Sequence, residues 1–222
     1  LRDLGFLVEL PDLVTLILDD SDVLDLPDLS GFQKLRKLGL NKSLIQDFEP
    51  LRQLTHLEEL SLQENAIAKI DWLSDSVGLK KLDLAFSSVL DISPLAHLPN
   101  LEWLSLEKTK INDISALRGL PIRHLDLTLS KVADLEPIFD TVSLETLLAN
   151  HIRLVEFRPS PKWKALKRLS IHGASVDGPS LLGFPNLEWL DVSRTDLQDF
   201  SFLRELNGLK GLGLEYTSFG NL

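Results

Sequence analysis

Along this chain leucines return as L-x-x-L-x-L-x-x-x-x-[V/I/L] every 21 or 22 residues, opening at Leu13, Leu35, Leu57, Leu79, Leu101, Leu144, Leu166, Leu187 and Leu209, with Ile122 as the substitute. Within each phrase the apolar residues alternate with polar ones, which predicts a short strand that buries every second side chain. In the repeat from Leu101, the side chains of Leu101, Leu104 and Leu106 point inward and Thr109 closes the strand. Ile111 and Ile114 then turn into the core, and Leu117 and Leu120 bury the return segment. One such coil contributes one strand, so the whole pattern predicts ten parallel strands in a single curved sheet. A period this short leaves no room for a long helix in each return. Short helical or irregular turns are predicted there instead.

Punctuation places the turns. Ser93-Pro94 and Glu136-Pro137 put proline where a short helix begins. A carboxylate precedes the turn in most coils, at Asp3, Asp25, Asp47, Asp91, Asp113, Asp134, Glu156 and Asp199. Stacked carboxylates can bind cations, but bonds from the side chain to turn amides explain the column and are the expectation here. A second column holds Ser21, Ser43, Asn65, Ser87, Thr109, Ser130, Ile152, Ala174, Thr195 and Thr217. Its hydroxyls are expected to bridge successive coils by satisfying buried backbone groups, with a break at Ile152 and Ala174.

These phrases resemble the short-repeat leucine-rich proteins, the repeat region of the internalins and the phosphatase-regulator-like proteins among them. LEELSLQENAIAKI and LKKLDLAFSSVLDISPLAHLPN match their pattern closely, with Ser or Thr mostly standing in for Asn. The resemblance implies a right-handed solenoid, with a curved parallel sheet on the concave face and short helices or 3-10 turns on the convex face. It also implies a non-enzymatic module that binds protein through the concave face. Residues 1–222 are read as one repeat domain, partial at both ends and without visible caps. That reading admits either a longer polypeptide or end-to-end self-association of open ends.

Composition narrows the partner without naming it. A net charge of −10 disfavours nucleic acid and anionic membranes, which require a positive footprint. No apolar run is long enough to insert in a membrane. The chain has no cysteine, so disulfides and cysteine-based zinc sites are excluded. No cofactor is expected, because glycine is scattered and no phosphate-cradling loop appears. The start at Leu1 is read as a processed or trimmed N-terminus. The cytoplasm is the first expectation, with export the alternative if a signal has been removed.

Five positions per repeat face the concave side, and their charges alternate by coil. Arg36, Lys37 and Lys42 are followed by Glu58, Glu59 and Glu64, then by Lys80 and Lys81. Pairing across neighbouring strands is expected. Aromatics stand where the repeat needs only something soluble. Phe86, Trp103, His124 and Leu129 come from neighbouring coils and form one expected contact group. Arg168, Trp189, Arg194 and Tyr216 form a second, towards the C-terminal end. Aromatic residues and arginine are enriched among binding hot spots. His124, His151 and His172 lie in successive coils but in different columns, so their rings are expected to be staggered, with no metal site and no catalytic set. A dedicated inhibitor that blocks a basic enzyme or toxin is the alternative function.

The segment from Val155 to Asn186 departs most from the repeat. Pro159 and Pro161 forbid regular helix, Ser160 replaces a leucine, and Trp163 falls at a core position where its bulk fills the volume.

Overall fold

The computed structural model describes residues 4, 7, 9–154 and 157–218. Asp3, Glu156 and the closing residues Phe219 to Leu222 therefore lie outside the described residues. The strands are β1 (Thr15–Ile17), β2 (Lys37–Gly39), β3 (Glu59–Ser61), β4 (Lys81–Asp83), β5 (Trp103–Ser105), β6 (His124–Asp126), β7 (Thr146–Leu148), β8 (Arg168–Ser170), β9 (Trp189–Asp191) and β10 (Gly211–Gly213). They form one parallel sheet in chain order, each strand pairing with the next. The register is unbroken: the central leucines Leu16, Leu38, Leu60, Leu82, Leu104, Leu125, Leu147, Leu169, Leu190 and Leu212 stand side by side.

Returns are short 3-10 helices of three to six residues, such as Ser93–His97, Ser115–Leu117 and Glu136–Ile138. Proline occupies the first or second position in Glu49–Gln53, Ser93–His97, Glu136–Ile138 and Gly178–Gly183. There its missing N–H costs nothing. The Asx turns appear at five of the expected carboxylates but not at Asp25, where Pro27 two residues on has no N–H to donate. Asp47, Asp91, Asp113, Asp134 and Asp199 each accept the amide two residues on, at 2.7–2.9 Å.

The core runs along the whole stack. In the fifth coil Leu101, Leu104, Leu106, Ile111, Ile114, Leu117 and Leu120 are all buried. Removing one such side chain to alanine costs about 2–5 kcal/mol. At β1 and β10 the equivalent residues are only half covered, and Leu212 is 40% exposed.

The strand is shorter than the pattern suggests. It ends at Ser105 rather than Thr109, because Lys108 adopts a left-handed backbone with φ 52°. The same conformation recurs at Asp20, Lys42, Glu64, Phe86, Leu129, His151, Arg194 and Tyr216, and at Gly173 in the eighth coil. Every coil therefore turns out of the sheet on one left-handed residue. L-residues adopt this conformation at a cost of roughly 1–2 kcal/mol each. The surrounding ladder holds it: the amide of Lys108 donates to Thr128 O at 2.7 Å, and that of Phe86 to Glu107 O at 2.8 Å.

The hydroxyl column differs from expectation. Thr109, Thr195 and Thr217 donate to Leu106, Val192 and Leu214 of their own coils at 2.6–2.8 Å, not to a neighbouring coil. The turn carries the side chain back over its own strand, so the nearest carbonyl is three residues earlier. Bridging falls to Asn65, which donates to Leu40 O at 2.8 Å and Leu62 O at 2.9 Å. It also accepts from the amide and hydroxyl of Ser43.

Around residue 160 the core is rebuilt from aromatics. Trp163 is fully buried, stacks on Phe184 at 6.5 Å and meets Phe139 edge-on at 6.0 Å. Its indole N–H donates to Ile138 O at 2.9 Å, and the Ser160 hydroxyl donates to Phe139 O at 2.6 Å. These two bonds tie a proline-bounded return, with no 3-10 helix among its described residues, to the preceding coil.

Candidate binding face

The strand register fixes which outward side chains meet. Thr15, Lys37, Glu59, Lys81, Trp103, His124, Thr146, Arg168, Trp189 and Gly211 stand in one row across the sheet. Neighbours in a parallel sheet lie about 4.8 Å apart, the spacing at which planar groups stack. Trp103 and His124 do so, with ring centroids 4.8 Å apart and planes 8° from parallel. The Lys81 ammonium sits over the Trp103 ring at 4.5 Å, and the Arg168 guanidinium over Trp189 at 4.9 Å.

Phe86, Leu129, Arg194 and Tyr216 stand elsewhere. All four are left-handed turn residues at the rim of the sheet. Lys108 lies over Phe86 at 5.0 Å, and Arg194 lies over Tyr216 at 4.5 Å. The first expected group is thus not one cluster but a central stack, Trp103 with His124, and a rim where Lys108 stands between Phe86 and Leu129. The second group divides in the same way. Along the central row only Thr146 separates His124 from Arg168, so the two groups read as one continuous band.

Exposure differs within the band. Trp189 is 41% exposed and Tyr216 78%, whereas Trp103 and His124 are half-buried. A depression of about 250 Å³ opens beside the stack, lined by Glu102, Trp103, Arg123, His124, Glu145 and Thr146. Burial holds the His124 imidazole below its ordinary pKa, with Asp126 opposing.

The histidines correct one expectation. His151 and His172 are not staggered: their ring centroids are 4.4 Å apart at 42°. The left-handed backbone at His151 brings its ring over the neighbouring coil, a direction that column spacing alone does not reveal. His172 is held below the ordinary imidazole pKa by burial first and by His151 second. Its Nε2 is buried without a hydrogen-bond partner. Among the described residues no group of three or more histidine or carboxylate side chains is arranged to hold a metal ion.

The alternating charges pair across coils as expected. Lys37 meets Glu59 at 2.8 Å, Lys80 meets Glu58 at 2.7 Å, and Lys42 meets Glu64 at 3.7 Å. Glu145 receives both Arg123 and Lys167. Exposed pairs of this kind contribute at most about 1 kcal/mol each.

Sequence reasoning missed two features of this face. Gly39 and Ser61 are adjacent in the next outward row, and their small side chains leave a notch of about 200 Å³ between Lys37, Glu59 and Lys81. Adjacent small residues in that column were the available signal. The other is a group of half-buried carboxylates. Asp83 and Asp126 flank Ser105 in the strand ladder, and Glu107 lies beside them. Burial raises the pKa of Asp83 and of Glu107, and the charge of Asp126 adds to both shifts.

No protein-family model matches the sequence, and no curated protein matches it. Solved structures do. An internalin, InlF, from Listeria monocytogenes superposes with a TM-score of 0.86 at 26% identity, over 97% of this chain. The chain spans 64% of that internalin's length. Internalin C2 of the same organism gives a TM-score of 0.69 at 28% identity, over 90% of this chain and 80% of its own. A leucine-rich-repeat protein from Leptospira interrogans gives 0.74 at 23%, over 98% and 64%. The chain folds as a leucine-rich-repeat solenoid. Its ten-stranded sheet and 3-10 returns are those of an internalin-like solenoid, and the band from Lys81 to Tyr216 lies on the concave face of that solenoid.

Proposed function

We propose that this leucine-rich-repeat protein is a non-enzymatic binding module that takes a protein partner on its concave face. Contact centres on Phe86, Trp103 and His124, with Leu129 at the adjoining rim. Arg168, Trp189, Arg194 and Tyr216 form the second part of the same surface. The observation that carries this reading is the Lys81–Trp103–His124 stack, half-buried on a sheet face that no other element covers among the described residues. Curved solenoids present extended concave surfaces of this kind. Large aromatic groups there add nothing to the leucine core, whereas they contribute strongly to an interface.

The test compares affinity with stability. A partner recovered from the native source should bind Trp103→Ala more weakly by about 2 kcal/mol or more, while thermal stability changes little. Unchanged affinity together with a large loss of stability would mean that the indole is structural. The contact surface would then have to be sought on the flank near Pro159 to Trp163.

A further inference from the structure

The turn that leads into β10 carries a chemically reactive pair. Asn207 and Gly208 form the single Asn-Gly sequence of the chain. They lie between the 3-10 helix Ser201–Glu205 and β10, and both are exposed. With Glu205 they line an open depression of about 660 Å³, so water reaches them. The Asn207 side chain makes one long bond, from Nδ2 to Glu205 O at 3.4 Å. Among the described residues the Gly208 amide N–H meets no hydrogen-bond acceptor.

The other exposed asparagines stand differently. Asn100 and Asn186 reach to the preceding coil and donate to Val77 O and Lys164 O at 2.8 Å. The amides that follow them, those of Leu101 and Leu187, are bonded to Leu98 O and Phe184 O. Asn112 is followed by Asp113, whose side chain crowds the main-chain nitrogen. Nothing in the repeat asks for glycine at 208. The equivalent position, one residue before the leucine that opens each phrase, holds Lys34, His56, Ser143 and Ala165 in other coils. Gly208 has no left-handed backbone, and a β-carbon there would come no nearer than 3.4 Å to Leu187 O.

We propose that Asn207 is a site of spontaneous deamidation in the folded protein. The Gly208 main-chain nitrogen gives up its proton to solvent base and attacks Cγ of Asn207. The new N–Cγ bond closes a five-membered imide, the Cγ–Nδ2 bond breaks, and the amide nitrogen leaves as ammonia after taking a proton. Water then opens either imide C–N bond, which restores the N–H and leaves an aspartyl or an isoaspartyl residue. No oxidant or cofactor is needed. The product carboxylate faces Glu205 O, where the amide had donated. In the isoaspartyl form the main chain runs through the side-chain carbon. It is then longer just ahead of the Lys210 and Gly211 amides, which bond to Glu188 O at 2.7 and 3.0 Å.

The test holds the folded protein in mildly alkaline buffer and follows its peptides by mass spectrometry. Asn207 should gain the mass that marks exchange of an amide nitrogen for oxygen, in both aspartyl and isoaspartyl forms. Asn100, Asn112 and Asn186 should stay unchanged. Gly208→Ala should slow the conversion by about tenfold or more, because a β-carbon crowds the attacking nitrogen, and should leave thermal stability unaltered. The chain unfolded in urea gives a reference rate, and the folded protein should convert within about tenfold of it, as an exposed turn that opens readily would. Conversion confined to the unfolded chain would show that the folded turn protects Asn207 and would overturn the proposal. A rate at Asn207 no faster than at Asn112, or one unaffected by Gly208→Ala, would overturn it as well.

Discussion

The indole of Trp189 lies against Gly211 on the adjacent strand, so closely that a β-carbon on Gly211 would fall 2.0 Å from Cε3 and 2.3 Å from Cζ3. With Arg168 on its other face, the ring is held between a cation and a bare backbone. Glycine is needed here for the close approach and not for an unusual backbone. Gly211→Ala should therefore displace the ring and destabilise the protein by about 1–3 kcal/mol, the usual cost of overpacking. Denaturant unfolding gives the stability, and the NMR shifts of the Trp189 ring report its movement. An unmoved ring with unchanged stability would show that the last strand yields instead.

The polar column should divide by how far each side chain reaches. The Thr109 hydroxyl bonds only within its own coil, so Thr109→Val should cost about 1 kcal/mol, one ordinary hydrogen bond. Asn65 makes four bonds, three of them to the preceding coil, and Asn65→Ala should cost about 2–4 kcal/mol by leaving buried groups unpaired. Hydrogen exchange at the Ser43 amide should accelerate in Asn65→Ala and stay unchanged in Thr109→Val. Equal costs for the two would show that bridging between coils adds nothing.

Asp83 makes stability depend on pH in the direction opposite to a salt-bridged carboxylate. Burial raises its folded pKa above the unfolded value, so the folded state holds its proton longer. Its contribution favours folding below the ordinary carboxylate range and is lost as pH rises through the folded pKa. Asp83→Asn keeps an acceptor for the Ala85 amide and removes the charge. The variant should be more stable than wild type near neutral pH, and the gain should vanish at about pH 3, below the unfolded pKa. Urea midpoints at the two pH values decide it. A gain that grows on acidification would refute the assignment.

Much of this architecture is legible in the leucine spacing, because a solenoid repeats one packing solution and each inward position is named by its place in the phrase. Trp163 was recognisable as a core residue for that reason. Side-chain direction beyond the strand was not legible. Nothing in the residue types Lys, Glu, Phe, Leu, His, Arg and Tyr signals a left-handed turn, since glycine takes that position only at Gly173. That backbone decides that Thr109 folds onto its own strand, that His151 meets His172, and that Phe86 stands at the rim instead of beside Trp103. The continuity of the two aromatic groups was hidden as well. It depends on Thr146 alone standing between them in the row, a fact of register rather than of composition.

The left-handed column has a consequence for how such a surface can change. Its backbone angle is imposed by the ladder on either side, and nine different positions hold it within a few degrees whatever side chain they carry. A mutation there alters what is displayed without altering how it is held. The rim is therefore a place where new specificity can arise by single substitutions, each close to neutral for folding, while the leucines beneath stay fixed.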